Sequence, residues 1–458
     1  MVGTQLAPMA TAGEHDVSLA DELFDRLFPI CRSITGPGLR ASLDILGEVI
    51  PLERESIPSG TGVFDWVVPR EWRIRSARLT GPDGEVLADF AQTNLAVVNY
   101  SVPVDRELSL EELEPHLHSL PELPDAIPYV TSYYRENWGF CLPHRVRERL
   151  RPGTYRAFID SELVDGQLDW GHAILPGESR REILLSSYLC HPSLANNELS
   201  GPIVLALLWR RLSRWPRRRY TYRFVLAPET IGSLCYLFRH GDELRERLAA
   251  GIVLTCLGGP TRALSWKRTR REDTLLDRVV ERLAEEAPED WEIRPFTPAH
   301  GSDERQYGSP GFALPVGQLA RTVYGTYEGY HNSLDDKSFM GIETLVDSAA
   351  RIEGLLRLFE LAGPWVNLRP HGEVQLGRRG LYPTMNGPAT RSLSSDAVAD
   401  GRVLLERILH VLSWSDGTRD VAWIAARAGC RMADLEAPVA RLEEEGLLAW
   451  RGPAEEPA

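Results

Sequence analysis

At 458 residues, 43% of them apolar and 25% charged, the chain is long enough for two or three domains and can bury a large core without covalent staples. Its 51 basic and 65 acidic residues leave a formal net charge of −14, which argues against general binding to nucleic acid or anionic lipid. No apolar run approaches the length of a membrane span, and the six cysteines, at 31, 141, 190, 235, 256 and 430, show neither close pairs nor metal-knuckle spacing, which favours a reducing, cytoplasmic setting.

The N-terminal MVGTQLAPMATAGEHD lacks the basic start and apolar centre of an export signal, so a loose tail is expected there. Residues 17–52 read as two helices, VSLADELFDRLFPICRSI and GPGLRASLDILGEVI, with apolar positions at three- and four-residue spacing. They are expected to cover one face of a sheet and to serve core packing; the polar turn at Arg32, Thr35 and Gly36 could approach the site, although nothing in the spacing demands it. From Val63 the texture changes to short β-branched and aromatic segments, with Gly-Pro-Asp-Gly at 81–84 as a hairpin turn. GTYRAFIDSEL and LDWGHAIL read as a second hairpin around Val164-Asp165-Gly166. Residues 56–165 are therefore expected to form an inserted, mainly β domain between an N-terminal part, 1–55, and a larger body, 166–365. Tyr129, Tyr133, Tyr134 and Trp138 cluster within the insertion; such clusters usually belong to a core, the alternative being a lid over a cleft at the domain junction. His172, following Trp170-Gly171, could also face the site, although a structural role is favoured.

The stretch from Glu182 to Leu208 carries the chemistry. Ile183 to Leu189 is a continuous apolar run of the kind a strand buried on both faces needs, and a helix opens at Ser200-Gly201-Pro202. Between them lie Cys190, His191, Asn196, Asn197 and Glu198, at the carboxyl end of a strand, where open α/β sheets keep their ligands. The basic run RRLSRWPRRRY that closes the helix 201–215 is broken by Pro216 and is read as a solvated helix end rather than a nucleic-acid site. FVLAPETIGS puts Glu229 at the end of another apolar strand, GIVLTCLGG is a further buried strand, and a helix covers 273–287. HGSDERQYGSPG then places Asp303 in a Gly-bounded loop, and Tyr324, Tyr327 and Tyr330 lead to His331. Two imidazoles and a carboxylate are a normal ligand set for zinc with one position left to water. Taken singly, each has a bland alternative: a hydrogen-bonded structural histidine, or a glutamate that complements a helix dipole. Arg305 can grip a substrate carboxylate or pair with Glu304 or Asp335, and Asp335 and Asp336 can orient His331.

A helix over 341–362 closes the body, and a linker rich in Pro and Gly spans 366–390. Residues 391–458 read helix, short helix, turn, helix and strand, the order of a winged helix. This segment holds eight arginines and no lysines against twelve acids, a poor match for phosphates, so dimerisation or protein contact is favoured over DNA binding.

In their order, HPSLANNELSG, PETIGS, SDERQYGSPG and YHNSLDD resemble the aminopeptidase-like proteins related to the zinc exopeptidases, which include bacterial leucyl aminopeptidases. The resemblance spans nearly the whole chain and is strongest to a bacterial branch often found near genes of sugar or natural-product biosynthesis. It implies an α/β fold, a zinc-exopeptidase-like mixed sheet flanked by helices, with an inserted mainly-β domain and a C-terminal winged helix. Residue by residue, it makes His191 the first metal histidine, His331 the last, and Glu229 the general base. Three positions depart from the pattern: Asn197 stands where the exopeptidases carry the Asp that bridges two zincs, Thr230 where they carry a second acid, and Gly258 and Gly259 where they carry a metal-binding Asp. Two Zn²⁺ ions about 3.5 Å apart repel by roughly 19 kcal/mol at an effective dielectric of about 20, and a neutral amide supplies no bridging charge. One zinc ion is therefore expected, held by His191, Asp303 and His331, with Asn197 as a hydrogen-bonding neighbour and Asn197, Arg305 and Tyr330 as substrate contacts. The implied activity is amide hydrolysis on a small aminoacyl or peptidyl substrate, such as a biosynthetic intermediate, by a chain free to form homo-oligomers through its winged-helix or inserted domain. The same departures keep open a second reading, a peptidase-shaped binding or regulatory protein without catalysis that acts through the winged helix.

Overall fold

The computed structural model describes residues 13–382 and 395–451; most of the expected N-terminal tail and the end of the expected linker lie outside the described residues. An eight-stranded mixed sheet organises the chain. Its strands run, edge to edge, Glu53–Pro58, Gln167–Leu175, Thr221–Ala227, Glu182–Tyr188, Leu248–Leu254, Val316–Ala320, Leu264–Lys267 and Trp291–Arg294. The four central strands are parallel to one another, while Gln167–Leu175 and Leu264–Lys267 join them antiparallel. Every residue of Glu182–Tyr188 and of Val316–Ala320 is buried, as central parallel strands covered on both faces require. Alternation sends Ile183 and Leu185 into one core, with Leu205, Val279 and Leu345, and Leu184 into the other, with Ile231 and Leu237.

The expected N-terminal helices form as Glu14–Leu27 and Pro37–Gly47. The second begins with Pro37 at its first turn, after Gly36 at φ 97, where an added Cβ would lie 2.4 Å from the carbonyl oxygen of Trp72. Glu14–Leu27, Ser200–Ser213, Leu275–Glu286 and Ile342–Ala362 pack on one side of the sheet and Ile231–Arg247 on the other. Two strands that the sequence did not reveal, Leu264–Lys267 and Trp291–Arg294, complete one edge.

The chain leaves this sheet at Pro58 and returns at Gln167. Between them a four-stranded antiparallel sheet, in the order Val86–Asp89, Glu71–Thr80, Thr154–Val164, Val104–Ser109, packs around its own core of Leu79, Phe140, Tyr155 and Ala157. The expected second hairpin does not form. Gln167–Leu175 pairs with Glu53–Pro58 and Thr221–Ala227 instead of with Thr154–Val164. Its alternating pattern suits either partner; only the main sheet offers a face on which Leu168 and Trp170 disappear beneath Ile231–Arg247.

At the C-terminus, helices Ser395–Trp414, Val421–Ala428 and Glu436–Glu444 precede the strand Leu448–Trp450, which pairs antiparallel with Trp365–Asn367. Val411, Ile424 and Leu442 continue the main core. The basic run that closes Ser200–Ser213 is solvated in part, with Arg214 and Arg217 exposed, and paired in part: Arg211 meets Asp16 at 2.8 Å and Glu353 at 3.0 Å, and Arg219 meets Glu443 of the winged helix at 2.7 Å. All six cysteines are free, and no described helix is long and apolar enough to cross a membrane.

Candidate active site

The site lies where the central parallel strands end. Glu182–Tyr188 runs into Cys190 and His191, and a single π-helical turn, Ala195–Leu199, connects it to Ser200–Ser213. The buried carboxylate of Asp335 holds that turn, accepting the N–H groups of Asn196 at 2.7 Å and Asn197 at 2.9 Å and the hydroxyl of Tyr327 at 3.1 Å. Burial raises its pKa to about 6. The expected orienting role toward His331 therefore goes unfilled: Asp335 is spent on orphan backbone donors, and Asp336 accepts from Ser338 in its own loop.

His331 and Glu229, far from His191 in the chain, both come to lie beside it. The two imidazole centroids are 5.5 Å apart, and His191 Nε2 is 3.8 Å from Glu229 Oε2. Behind His191, Nδ1 lies 2.8 Å from Glu198 Oε2, which fixes the ring with Nε2 turned to Glu229. Glu198 is wholly buried; its other oxygen accepts the Cys190 N–H at 2.5 Å and faces Arg32 Nε at 3.5 Å. Arg32, also wholly buried, donates to the carbonyl of His191 at 3.0 Å, so the polar turn does reach the site, the less favoured of its two readings.

Tyr129 forms a wall, its ring 5.1 Å from His191 and 5.4 Å from His331, and its N–H donates to the carbonyl of His331 at 2.8 Å. This end of the aromatic stretch therefore lies against both imidazoles and not in the core of the inserted sheet. Tyr330 stacks on His331 at 4.0 Å. Burial and the nearby His191 push the His331 pKa down to about 3, so its imidazole is neutral and its lone pair available.

Glu229 leaves the end of Thr221–Ala227 just before Thr230, whose φ of 63 is strained for a β-branched residue. Its carboxylate accepts from Ser302 Oγ at 2.5 Å, and burial raises its pKa above the ordinary carboxylate range. Ser193, Cys256 and His331 also have positive φ, and such strained positions gather at functional sites.

Asp303 does not join the histidines: the ligand atoms of His191, Asp303 and His331 do not all come within 4.8 Å of one another. It accepts instead from the Thr230 N–H at 2.7 Å and from Ser233 Oγ at 3.0 Å. The first turn of Ile231–Arg247 leaves donors without intrahelical partners, and a buried carboxylate is drawn to them. Burial and the charge of Glu229 raise Asp303 to about 8.

Asn197 is buried, its amide donating to Tyr188 Oη at 3.1 Å, which makes it part of the floor rather than of the cleft. Arg305 takes neither expected carboxylate: it donates to the carbonyls of Ser302 and Pro298, both at 3.3 Å, while Glu304 pairs with Lys267 at 2.7 Å. Gly258 donates its N–H to Asn196 Oδ1 at 2.8 Å, and a Cβ there would stand 2.2 Å from Met340 Cγ. Methionine thus fills the space of the absent acid.

The donors present suit a zinc-type cation: two imidazoles, one fixed by a buried carboxylate and one neutral, beside Glu229. Glu198, Arg32, Tyr129 and Ser302 take places that sequence reasoning did not assign. The available signal was charge inside apolar segments, Glu198 ahead of SGPIVLALL and Arg32 beside Cys31.

Residues 21–361 match the family described as Domain of unknown function (DUF4910), and residues 363–450 match a winged helix-turn-helix family. A relative from Clostridium acetobutylicum, named as a candidate polysaccharide biosynthesis protein with aminopeptidase-like domain, is 41% identical over 407 residues, covering 89% of this chain and 90% of its own. The crystal structure of a candidate peptidase from Clostridium acetobutylicum superposes with a TM-score of 0.85 at 38% identity, covering 96% of this chain and 98% of that one. A zinc aminopeptidase from Bacillus subtilis shares the fold, with a TM-score of 0.54 at 12% identity over 76% of this chain and 96% of its own.

Proposed function

The chain belongs to the family described as Domain of unknown function (DUF4910), with an aminopeptidase-like fold and a C-terminal winged helix, and on that footing we propose that it is a metal-dependent amide hydrolase of aminopeptidase type. The observation that carries this reading is that both His331 and Glu229 are brought beside His191 at the ends of the central strands.

In the proposed reaction His191 and His331 are the residues that hold a zinc-type ion, which when bound supplies the Lewis acidity that polarises a carbonyl and acidifies water. Glu229 takes the proton from the attacking water and returns it to the leaving amine; its raised pKa suits both halves of that task. Ser302 steadies the carboxylate through its 2.5 Å hydrogen bond. Asp303 ties the turn that carries Glu229 to the start of the following helix. Tyr129 and Tyr330 pack against the two imidazoles and hold their rings in place. Arg305, anchored through backbone carbonyls, keeps its charge for a substrate carboxylate. Asn197 supports Tyr188 rather than touching substrate.

A single ion is favoured because Asn197 offers no bridging charge and Met340 closes the space beside Gly258. The relative named for polysaccharide biosynthesis supports a small aminoacyl or peptidyl substrate drawn from a biosynthetic route, and the six free cysteines support a reducing, cytoplasmic setting. Glu229→Gln is expected to lower hydrolysis of aminoacyl amides by at least about 10²-fold while zinc content measured on the purified protein stays the same. Undiminished hydrolysis would remove Glu229 from the mechanism. The closure at Gly258 also favours a second reading, a ligand-binding protein without turnover; wild-type protein that binds aminoacyl ligands but holds no zinc and hydrolyses none would establish it.

A further inference from the structure

The edge of the main sheet gathers a second set of ligand-type side chains, none of them in the candidate active site. In the antiparallel pair of Glu53–Pro58 with Gln167–Leu175, Glu53 lies opposite His172 and Glu55 opposite Trp170. Period-two alternation therefore puts Glu53, Glu55, Trp170 and His172 on one face. Ile231–Arg247 packs over that face with Tyr236 and His240 one turn apart, the His240 ring centroid 5.1 Å from that of His172 and 4.5 Å from that of Tyr236.

One ligand atom from each of Glu55, His172 and His240 lies within 4.8 Å of the other two, and Glu55 Oε2 is 2.9 Å from His240 Nε2. Donors around tetrahedral zinc stand about 3.3 Å apart, so small side-chain rotations close the set. His172 is only 6% exposed, yet its Nδ1 has no hydrogen-bond partner. A buried ring nitrogen left in that state is costly and calls for a ligand. Two further carboxylates stand just behind, Glu53 Oε2 at 3.5 Å from His172 Nε2 and Glu243 Oε2 at 3.8 Å from His240 Nδ1. The facing cation, Arg223, is already matched by Glu182 at 2.5 Å and Glu243 at 3.1 Å.

We propose that Glu55, His172 and His240 form a binding site for a divalent cation of the zinc type, completed by Glu53 or water, whose role is structural. The ion ties the edge strand from which the inserted β segment departs to the helix whose first turn follows Glu229. This site stands apart from the catalytic reading and does not depend on it.

The test uses the full chain carrying His191→Ala and His331→Ala, which disables the other candidate site, with Zn²⁺ and Co²⁺ alone as probes. That variant is expected to bind one equivalent of either ion, to show the visible d–d absorption of low-coordinate Co²⁺, and to melt at a higher temperature with zinc than without. Adding His240→Phe, which keeps a ring against Tyr236, should abolish the equivalent, the absorption and the thermal shift. Glu55→Gln keeps a hydrogen-bonding side chain beside His240 and should weaken binding at least tenfold; it decides the matter if His240→Phe fails to fold. No bound equivalent in the His191→Ala, His331→Ala protein, or an equivalent that survives both further changes, overturns the proposal.

Discussion

Replacing Glu198 by glutamine tests the part of the site that lies behind the metal ligands. The change keeps the shape of the side chain but removes a charge enclosed by Arg32 at 3.5 Å and His191 at 2.8 Å, in a place where both Arg32 and Glu198 have no exposed surface. A unit charge pair at that separation, with an effective dielectric of about 20, is worth about 5 kcal/mol. Part of this returns because the amide is cheaper to bury, and because Arg32 keeps its bonds to the carbonyls of Leu27 at 2.5 Å and His191 at 3.0 Å. A net loss of about 3 kcal/mol is expected, read as a lower urea midpoint for the main transition. Zinc affinity, measured by competition with a chelating dye, should fall about 10- to 100-fold, or about 1.4–2.7 kcal/mol, because His191 loses the partner that orients it. Arg32→Met combined with Glu198→Gln should recover most of the stability but none of the affinity, since it removes the stranded guanidinium and leaves the imidazole unsupported. Zinc affinity within twofold of wild type, in a folded Glu198→Gln protein, would refute the reasoning that Glu198 holds His191 for metal.

Glu71 supplies a pH test away from the site. Burial alone would raise its carboxyl, but Arg40 and Arg73 bring it from the ordinary 4.5 down to about 2. With the folded pKa below the unfolded one, this contribution is complete above pH about 4.5 and is lost as pH falls toward 2; it amounts to about 2–3 kcal/mol after allowing for solvent around the arginines. Glu71→Gln should flatten the acid limb of the stability curve over that window, and an unchanged limb would contradict the assignment. Gly258→Asp should cost about 2–3 kcal/mol, because its Cβ meets Met340 Cγ at 2.2 Å, and should bring no additional zinc. A gain of one zinc equivalent in elemental analysis would show that the space opens. Arg219→Ala removes a two-pronged pair with Glu443, at 3.0 and 2.7 Å, and a guanidinium 4.7 Å from the ring centroid of Trp365. Hydrogen exchange in Glu436–Glu444 and Leu448–Trp450 should quicken, with an opening free energy lower by about 1–2 kcal/mol, while the central strands stay protected. Unaltered exchange there would mean that the core contacts alone hold the winged helix.

Much of the architecture was legible because it follows from patterns within a few residues of one another. The apolar run from Ile183 to Leu189 could only be a strand covered on both faces, and the Pro-Glu-Thr turn after Ala227 put Glu229 at a strand end. The Gln167–Leu175 strand was placed with the wrong neighbour because alternation names a face to be buried and not the strand that will lie alongside. The pairing of Arg32 with Glu198 went unassigned for a related reason: each charge looks unexplained in its own segment and is explained only by the other.

Asp303 and Asp335 mark the boundary most clearly. Sequence by itself determined that carboxylates and imidazoles would collect where parallel strands end, since alternation and apolar runs dictate which residues leave the sheet and where. Which carboxylate faces which partner was decided by tertiary structure alone. A buried acid goes to the nearest unsatisfied donors, and those donors, the N–H groups of Thr230 for Asp303 and of Asn196 and Asn197 for Asp335, are brought within reach only when distant loops pack together.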